Sequence, residues 1–283
     1  MKSFRHHPPP EGAITGDLLD VCRAARADVE RALADLPTRL EREPTVGEGM
    51  GGDETTAIDA AAEAAVVARL EALHADGLEF TLVSEELGER TYGNPDGLHV
   101  VVDPIDGSLN AKRGIPYFAL SLAFADGPTM RDVFLAFVHD FGSGEAWTAR
   151  RGEGAHLDGA PLDGPGPTEA IEVLCLEATR TDLVAQKAPA LVGLAYRTRV
   201  MGSLALSLCH LAAGRMDAVC SLKPARSVDI AAAQLLVREQ GLAIDLPDAP
   251  PFLDAPLDVE GRSRVVAAAT PQLCEELFAA LTA

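Results

Sequence analysis

Residues 101–110, "VVDPIDGSLN", place two aspartates three positions apart between an apolar run and a glycine. The apolar run predicts a buried strand. Pro104 fixes its own φ and pushes Asp103 toward extended backbone, so Asp103 and Asp106 can face one site across a tight turn. This arrangement leaves the carbonyl oxygen of Ile105 available as a further ligand. The segment therefore predicts a strand that ends in a cluster of oxygen ligands.

The two residues that follow favour anion binding beside these oxygens. Gly107 permits close approach of backbone to an anion. Ser108 offers a hydroxyl at the start of a short helix, where free N–H groups attract phosphate. By itself a D-P-x-D-G sequence is also a good turn, so the metal and phosphate interpretation depends on the rest of the chain.

Two other segments carry acidic residues where a predicted strand ends or a predicted helix begins. Glu85 and Glu86 follow the apolar run "TLVS", and Asp229 opens the predicted helix "DIAAAQLLVREQ". Each has an ordinary alternative, a solvated strand end for the glutamates and a helix N-cap for Asp229. Side chains at strand ends of an α/β sheet converge on one crevice. Four carboxylates that meet there need cations, and oxygen ligands favour Mg²⁺, Mn²⁺ or Ca²⁺ over Zn²⁺.

Hydrophobic periodicity predicts a chain that begins with helices and continues with strands. Helices are expected at 13–36 and at about 56–75, the second with Asp59 near its beginning. Short apolar segments then predict successive strands, which are "FTLVSEE", "LHVVVDPIDG", "FALSLAFAD", "VFLAFVHD" and "GEAWTAR". The segment between the two helices, residues 37–52, is rich in glycine, proline and charge and predicts a mobile loop of the kind that covers active sites.

A second αβ stretch follows the turn-rich region near 158–168. Its predicted elements are the strand "AIEVLCLE", a helix at 182–193, the strand "YRTRVMG", a helix at 203–213, the strand "DAVCSL" and a helix at 229–240. We expect two halves, 1–160 and 161–283, with most metal ligands in the first half and the second completing the site, which together form one cooperative unit.

Charge, cysteine spacing and hydropathy argue against a nucleic-acid partner, a zinc or disulfide framework and a membrane location. The formal net charge of −19 argues against nucleic acid, because phosphate backbones need a basic face. The five cysteines are scattered and show no C-x-x-C spacing, which argues against a zinc site or a disulfide framework. The stretch "MKSFRHHPPP" has no apolar core of a signal peptide, and no run is long enough for a membrane span. A reducing cytoplasm is the expected location.

Six blocks of the chain lie between about residues 50 and 245. In chain order they are "GDETTAIDAAAE", "VSEELG", "VVDPIDGSLNAKRGIPYFALSLAF", "GEAWTARRGEGAHLDGAPL", "RVMGSLALSLCHLAAGRMDAV" and "SVDIAAAQLLVREQG". These blocks, in this order, resemble the inositol monophosphatase family of magnesium-dependent sugar phosphatases, especially its archaeal and bacterial branch that contains fructose-1,6-bisphosphatases. The resemblance implies an α/β (α+β) fold, a layered αβαβα sandwich, and a homodimer.

The resemblance also implies roles for individual residues. One metal would be held by Glu85, Asp103 and the Ile105 carbonyl, and a second by Asp103, Asp106 and Asp229, with two or three Mg²⁺ ions in all and Mn²⁺ as a substitute. Ser108, where the family usually has threonine, would act with Glu85 to orient a water for in-line attack on phosphorus, with Thr56 and Asp59 as outer support. Arg199 and Lys223 would contact a hydroxyl or a second phosphate of the substrate. The other contacts of the phosphate and the sugar would be Asp106, Gly107, Ser108, Gly202, Ser203, Leu204 and Asp229.

The implied reaction is hydrolysis of a sugar or polyol phosphate, either inositol monophosphate or fructose 1,6-bisphosphate. The sequence departs from the family pattern at Val228, where tryptophan is usual, and in "REQGL", which replaces E-A-G-G. Both departures lie where the non-reacting end of the substrate is held, so they leave the choice of substrate open.

Three alternatives compete with this assignment. A phosphatase of the same fold could act on a 3′-phosphoadenosine nucleotide, and a protein of this fold could bind cations or inositol phosphates as a regulator without catalysis. A thiol hydrolase built on Cys209 and His210 is disfavoured, because adjacent residues of a helix point in different directions and Cys209 lies among leucines.

Overall fold

The aspartate segment is the end of a strand that is buried along most of its length. Val100, Val101 and Val102 have β-branched side chains, which suit extended backbone, and each is at most 1% exposed. The strand spans Leu98–Asp106, and its pairing register shifts between Asp103 and Asp106. Pro104 has no N–H to donate, so the irregularity falls where the ladder lacks a donor.

The computed structural model describes residues 18–50, 54–166, 168–177, 180–249 and 251–282. Its helices are α1 (Leu18–Ala34), α2 (Arg39–Arg42), α3 (Ala57–Ala75), α4 (Ser108–Arg113), α5 (Thr181–Leu191), α6 (Leu204–Ala212), α7 (Ser227–Glu239) and α8 (Pro271–Thr282). Its strands are β1 (Thr45–Glu48), β2 (Glu54–Thr56), β3 (Phe80–Ser84), β4 (Gly88–Tyr92), β5 (Leu98–Asp106), β6 (Ala119–Ala125), β7 (Val133–Asp140), β8 (Ala146–Arg150), β9 (Gly154–Leu157), β10 (Ala160–Pro161), β11 (Ile171–Glu177), β12 (Ala195–Arg199), β13 (Ala218–Ser221), β14 (Ala243–Asp245) and β15 (Val266–Ala268).

The larger sheet has eight strands in the order β10-β9-β8-β7-β6-β5-β3-β4. The predicted strands "FALSLAFAD", "VFLAFVHD" and "GEAWTAR" are β6, β7 and β8, which pair antiparallel in succession, and β5 pairs antiparallel with β6. Strands β3 and β5 run parallel, with Ser84 opposite Val102. Their carboxyl ends therefore meet at the same edge of the sheet, which places Glu85 and Asp103 close together.

The smaller sheet has five strands in the order β12-β11-β13-β15-β14. Its central strand β13 and the edge strand β12 both run parallel to β11. Strands β14 and β15 and helix α8 complete this part of the molecule, and the sequence pattern did not indicate them.

The predicted layered αβαβα sandwich is confirmed by the three hydrophobic clusters. One cluster joins α1 and α3 to one face of the large sheet, a second buries α6 and α7 between the two sheets, and a third packs α5 and α8 on the far side of the small sheet. Helix α7 contacts strands of both sheets. None of the described helices is long and apolar enough to cross a lipid bilayer.

Several predicted boundaries need correction. The expected loop 37–52 contains helix α2 and strand β1, which pairs with β2 in an antiparallel hairpin. Strand β1 is fully exposed, so its sequence shows no alternation of apolar and polar residues. For this reason the charged and glycine residues of the segment suggested a loop. Residues 13–17 and 51–53 lie outside the described part. Helix α7 begins at Ser227, so Asp229 is its third residue and does not open it.

The division into halves 1–160 and 161–283 stays a prediction. The large sheet uses strands up to Pro161 and the small sheet begins at Ile171. Between them Asn110 forms a direct link, because its Nδ2 donates both to the Tyr117 carbonyl and to the Met201 carbonyl, each at 2.8 Å. This link joins the strand end that carries the aspartates to the loop before α6.

Candidate metal and phosphate site

Three acids that are far apart in the sequence meet at the end of strands β3 and β5. Carboxylate oxygens of Glu85, Asp103 and Asp229 all lie within 4.8 Å of one another. Parallel pairing of β3 and β5 brings the first two together, and the first turn of α7 supplies the third. The spacing and the oxygen-only chemistry fit a hard divalent cation.

Burial gives this cluster an unfavourable electrostatic state without a counter-charge. Burial raises the pKa of Glu85 to about 8, and the charges of Asp229 and Glu86 add to the rise. Burial also raises the pKa of Asp103 well above its usual range, with Glu85 and Asp106 as the next causes. Since the charged forms repel and are poorly solvated, a cation would stabilise them.

Arg226, the residue before α7, is part of this cluster and was missed by the sequence analysis. Its Nη2 donates to Glu85 Oε1 and lies 3.5 Å from Asp229 Oδ1. The positive charge lowers the pKa of both Glu85 and Asp103 against the effect of burial. The signal was present in the sequence, because a basic residue three positions before an acid at a helix start forms an i,i+3 pair.

Asp106, the second aspartate of the quoted segment, is held by the start of α6. Its Oδ2 accepts from Ser203 Oγ at 2.5 Å and from the Ala205 N–H at 2.7 Å. Burial raises the pKa of Asp106 to about 7, while these two donors oppose the rise. The predicted substrate residue Ser203 is therefore buried and occupied with orienting Asp106.

The turn after Asp106 requires glycine for reasons of backbone conformation and packing that the sequence analysis did not give. Gly107 has φ of 97°, and a Cβ atom there would lie 3.0 Å from the Gly202 carbonyl oxygen, so glycine is required for both reasons. Ser108 Oγ donates to the Ile105 carbonyl oxygen at 3.0 Å. The structure thus brings the predicted ligand Ile105 and the predicted catalytic Ser108 into direct contact.

Thr56 and Asp59 form the cap of α3. Asp59 Oδ2 accepts from the Thr56 N–H at 3.1 Å and from Thr56 Oγ1 at 2.5 Å. Asp59 Oδ1 is buried and has no hydrogen-bond partner among the described residues. A buried carboxylate oxygen left in this state is costly. The role of Asp59 as outer support of the site that activates water stays a prediction.

A cavity of about 690 Å³ adjoins the acids. Its walls include residues of both sheets and helices α4, α6 and α7, which are Asp106, Leu109, Asn110, Glu177, Arg180, Gly202, Leu204, Ser221, Lys223, Pro224, Ala225, Arg226, Asp229 and Arg262. The predicted contacts Gly202, Leu204 and Lys223 therefore lie at the cavity. Three lining cations, Arg180, Arg226 and Arg262, were not anticipated, because they are far apart in the sequence.

Arg199 does not reach this cavity in the described residues. It is exposed on the edge strand β12, and its Nη1 donates to the Thr198 carbonyl at 2.9 Å.

Val228, where the sequence departs from the family pattern, is 1% exposed and packs in the hydrophobic cluster between the two sheets. It contributes to the core and does not line the cavity.

The disfavoured thiol nucleophile is part of the core. Cys209 is fully buried, and burial raises the pKa of its thiol well above the usual range. His210 stacks on Tyr117, with ring centroids 5.9 Å apart. A thiol that resists ionisation is a poor nucleophile, which agrees with the expectation of a structural role.

Comparisons with known proteins agree with this geometry. The model of the inositol monophosphatase family matches residues 18–283. A fructose-1,6-bisphosphatase/inositol-1-monophosphatase from Methanothermobacter thermautotrophicus is 32% identical over 263 residues, which are 89% of this chain and 92% of the relative. The protein of the same name from Archaeoglobus fulgidus is 30% identical over 259 residues, 89% of this chain and 93% of that protein.

Other relatives carry a different name or support the fold alone. The Escherichia coli protein called Nus factor SuhB is 32% identical over 239 residues, 81% of this chain and 85% of that protein. A solved inositol monophosphatase–fructose 1,6-bisphosphatase has a TM-score of 0.80 at 24% identity and covers 94% of this chain and 100% of its own. The family match, the archaeal relatives and the fold agree, and the chain therefore belongs to the inositol monophosphatase family of phosphatases.

Proposed function

We propose that this protein hydrolyses a sugar or polyol phosphate with Mg²⁺ at the cluster of Glu85, Asp103 and Asp229. The observation that carries the proposal is the approach of these carboxylate oxygens to within 4.8 Å beside a cavity that is lined by cations. Transfer of a phosphoryl group needs both a metal and basic side chains at the phosphate oxygens. The acids would hold the metal, and the cations of the cavity would contact the phosphate.

The proposed ligands divide into two groups that share Asp103. Glu85, Asp103 and the Ile105 carbonyl belong to one metal, and Asp103, Asp106 and Asp229 belong to a second. When bound, Mg²⁺ lowers the pKa of a coordinated water and neutralises charge on the phosphoryl oxygens. Mn²⁺ has the same preference for oxygen ligands and is the expected substitute.

The residues of the chain place and hold the phosphate. The turn at Gly107 is proposed to present its backbone to the phosphate, and Ser108 to contribute its hydroxyl, which donates to the Ile105 carbonyl in the structure. We infer that Glu85 and Ser108 orient the attacking water, with Thr56 and Asp59 behind them. Asp106 is kept in position by Ser203 and the Ala205 N–H.

The cavity wall favours a phosphorylated ligand despite the acidic surface. The cavity lining includes both signs of charge, which are the cations Arg180, Lys223 and Arg262 and the carboxylates of Asp106, Glu177 and Asp229. Arg180 also pairs with Asp182, and the whole chain carries a formal charge of −19. Local positive charge in a cleft concentrates anions there. Gly202, Leu204 and Lys223 are proposed to contact the sugar or a second phosphate.

The substrates proposed are inositol monophosphate and fructose 1,6-bisphosphate, because the archaeal relatives carry both names. We also propose a cytoplasmic homodimer. Three exposed apolar side chains, Val192, Tyr196 and Val200, flank or belong to the edge strand β12 and support a contact between two copies. Sedimentation of the purified protein tests this part.

One phosphate-release panel tests the reaction. Inositol 1-phosphate, fructose 1,6-bisphosphate and a 3′-phosphoadenosine nucleotide are each assayed with Mg²⁺ and with a chelator. We expect release from at least one of the first two, only with Mg²⁺. Release from the nucleotide alone would indicate a nucleotide phosphatase, and well-folded protein without metal-dependent release would indicate a binding protein without catalysis.

A further inference from the structure

Arg226 has a fixed backbone and a side chain that enters the acid cluster. The preceding residue, Ala225, exchanges two backbone hydrogen bonds with Ser263, at 2.6 and 3.1 Å. The Arg226 N–H itself donates to Asp229 Oδ2 at 2.7 Å. The side chain is only 11% exposed, so its position at the acids is set by the structure around it.

The guanidinium faces all three acids of the proposed metal site. It pairs directly with Glu85 and Asp229. Its charge also opposes the rise in the pKa of Asp103, and the Asp103 charge in turn raises the pKa of Arg226. These are the oxygens that a divalent cation would bind, and they lie within 4.8 Å of one another.

A guanidinium and a divalent metal cannot share this space at low cost. Arginine stays protonated throughout the accessible pH range, so it cannot leave the cluster by losing its proton. Like charges only a few ångströms apart in a partly buried site repel strongly. Metal binding would therefore favour rotation of the side chain away from the acids, and Arg226 lines a cavity of about 690 Å³ into which it can turn.

We propose that Arg226 is a tethered counter-cation that competes with a divalent metal for Glu85 and Asp229 and so weakens metal binding. The proposal rests on the metal-binding part of the proposed function. The opposite role would be outer support, in which Arg226 holds Glu85 in place for the metal and strengthens binding. The two roles predict opposite signs when the charge is removed.

The test is titration calorimetry with Mn²⁺ on the full chain, comparing wild type with Arg226→Gln. We expect the variant to bind Mn²⁺ at least about tenfold more tightly, which corresponds to about 1.4 kcal/mol. Arg262→Gln is the matched control, because it removes one positive charge from the same cavity wall. Its dissociation constant should change by less than about threefold, since Arg262 forms no ion pair with Glu85 or Asp229 among the described contacts and its more general charge effect is screened by salt.

The outcomes separate this inference from the proposed function. Unchanged or weaker Mn²⁺ binding by Arg226→Gln, or equal tightening in both variants, overturns the competition while the metal site stands. Failure of every protein, wild type included, to bind Mn²⁺ overturns both. Circular dichroism of each variant establishes that the fold is intact.

A measurement on wild type covers the case in which Arg226→Gln does not fold. A crystal structure with Mn²⁺, located by its anomalous scattering, should show the metal on Glu85, Asp103 and Asp229 and the Arg226 guanidinium turned into the cavity. A metal on these acids with Arg226 still paired to Glu85 would overturn the inference.

Discussion

Two groups of buried acid lie beside the same cavity and are stabilised in different ways. Glu177 at the end of β11 accepts from Ser207 Oγ at 2.6 Å, from Cys175 Sγ at 3.3 Å and from the Gly202 N–H at 2.9 Å. Burial raises its pKa, and these neutral donors oppose the rise. The acid cluster of Glu85, Asp103 and Asp229 instead has a cation, Arg226, among its carboxylates.

The difference separates an acid that neutral donors satisfy from acids that need positive charge beside them. A single carboxylate that is surrounded by neutral donors is satisfied inside the fold and needs no metal. Several carboxylates that share one space repel one another, and neutral hydrogen bonds do not remove that repulsion. The cluster therefore depends on positive charge, from Arg226 or from a metal, whereas Glu177 depends on its donors.

The largest expected effect comes from removing the charge at the centre of the cluster. Asp103→Asn should lower phosphate release by about a thousandfold, or about 4 kcal/mol in activation free energy, because Asp103 is shared by both proposed metals. The amide oxygen can still accept from the Ile105 N–H, which donates to Asp103 at 3.0 Å. Kinetic assays with Mg²⁺ measure the loss.

The control for this variant is its stability. Thermal unfolding should show Asp103→Asn at least as stable as wild type, since the buried charge is gone. Wild-type turnover in the variant would contradict the assignment of Asp103 as a shared ligand.

The next effect concerns Glu63, a buried acid of α3. It tests whether neutral hydrogen-bond donors alone can stabilise a buried, ionised carboxylate. Both of its carboxylate oxygens accept from Ser84 Oγ, at 2.7 and 2.8 Å. Burial raises the pKa of Glu63 to about 7, Ser84 opposes the rise and the charge of Glu86 adds to it. Because the folded state binds this proton more tightly than the unfolded chain, ionisation of Glu63 destabilises the fold.

The pH window follows from that sign. The contribution of Glu63 to stability is complete below its ordinary pKa of 4.5 and is lost as the pH rises through about 7. The stability of wild type relative to Glu63→Gln should fall by about 3 kcal/mol over this interval and stay constant above it. Urea unfolding of both proteins between these pH values measures how the difference between their unfolding free energies changes with pH. A difference that stays constant would contradict the raised pKa of Glu63.

A smaller effect is expected when Glu177 loses one donor. Ser207→Ala should lower the free energy of unfolding by about 2 kcal/mol, because a buried carboxylate oxygen loses its shortest hydrogen bond. Mn²⁺ affinity should stay within about threefold of wild type, in contrast to the variants of the cluster. Denaturant unfolding and calorimetry give the two quantities, and a large change in metal affinity would break the comparison between the two groups.

The smallest effect is expected at Thr56, the cap of α3. Thr56→Ala should cost about 1 kcal/mol of stability, the usual loss for an N-cap hydroxyl. If Thr56 and Asp59 support the attacking water, turnover should also fall by about tenfold, as for other outer-shell residues. Thr56→Ser keeps the hydroxyl and is the matched control, which should retain both quantities.

Local patterns in the sequence predicted the elements whose residues repeat regularly. The apolar runs of β5, β6 and β7 and the amphipathic α1 and α3 were found because one face or both faces of each are buried. The exposed strand β1 and the short β14 were not found, because neither has an apolar period. The family likeness supplied the layered arrangement, which no periodicity could indicate.

The candidate site divides in the same way. Asp103, Pro104, Asp106 and Gly107 are adjacent, and the chemistry of the turn follows from their order alone. Arg226, Arg180 and Arg262 lie at the cavity only because α7 and the loops of the smaller sheet approach the end of β5. The family resemblance implied a substrate contact for Arg199, but β12 is an edge strand and Arg199 is exposed on it.

The sequence by itself determined the strand end with its two aspartates and the family to which the chain belongs. The tertiary structure alone decided which charges meet. Solvation and repulsion between ionised groups depend on distance and burial, and these quantities exist only once parallel β3 and β5 and the first turn of α7 are packed together, with a guanidinium between Glu85 and Asp229.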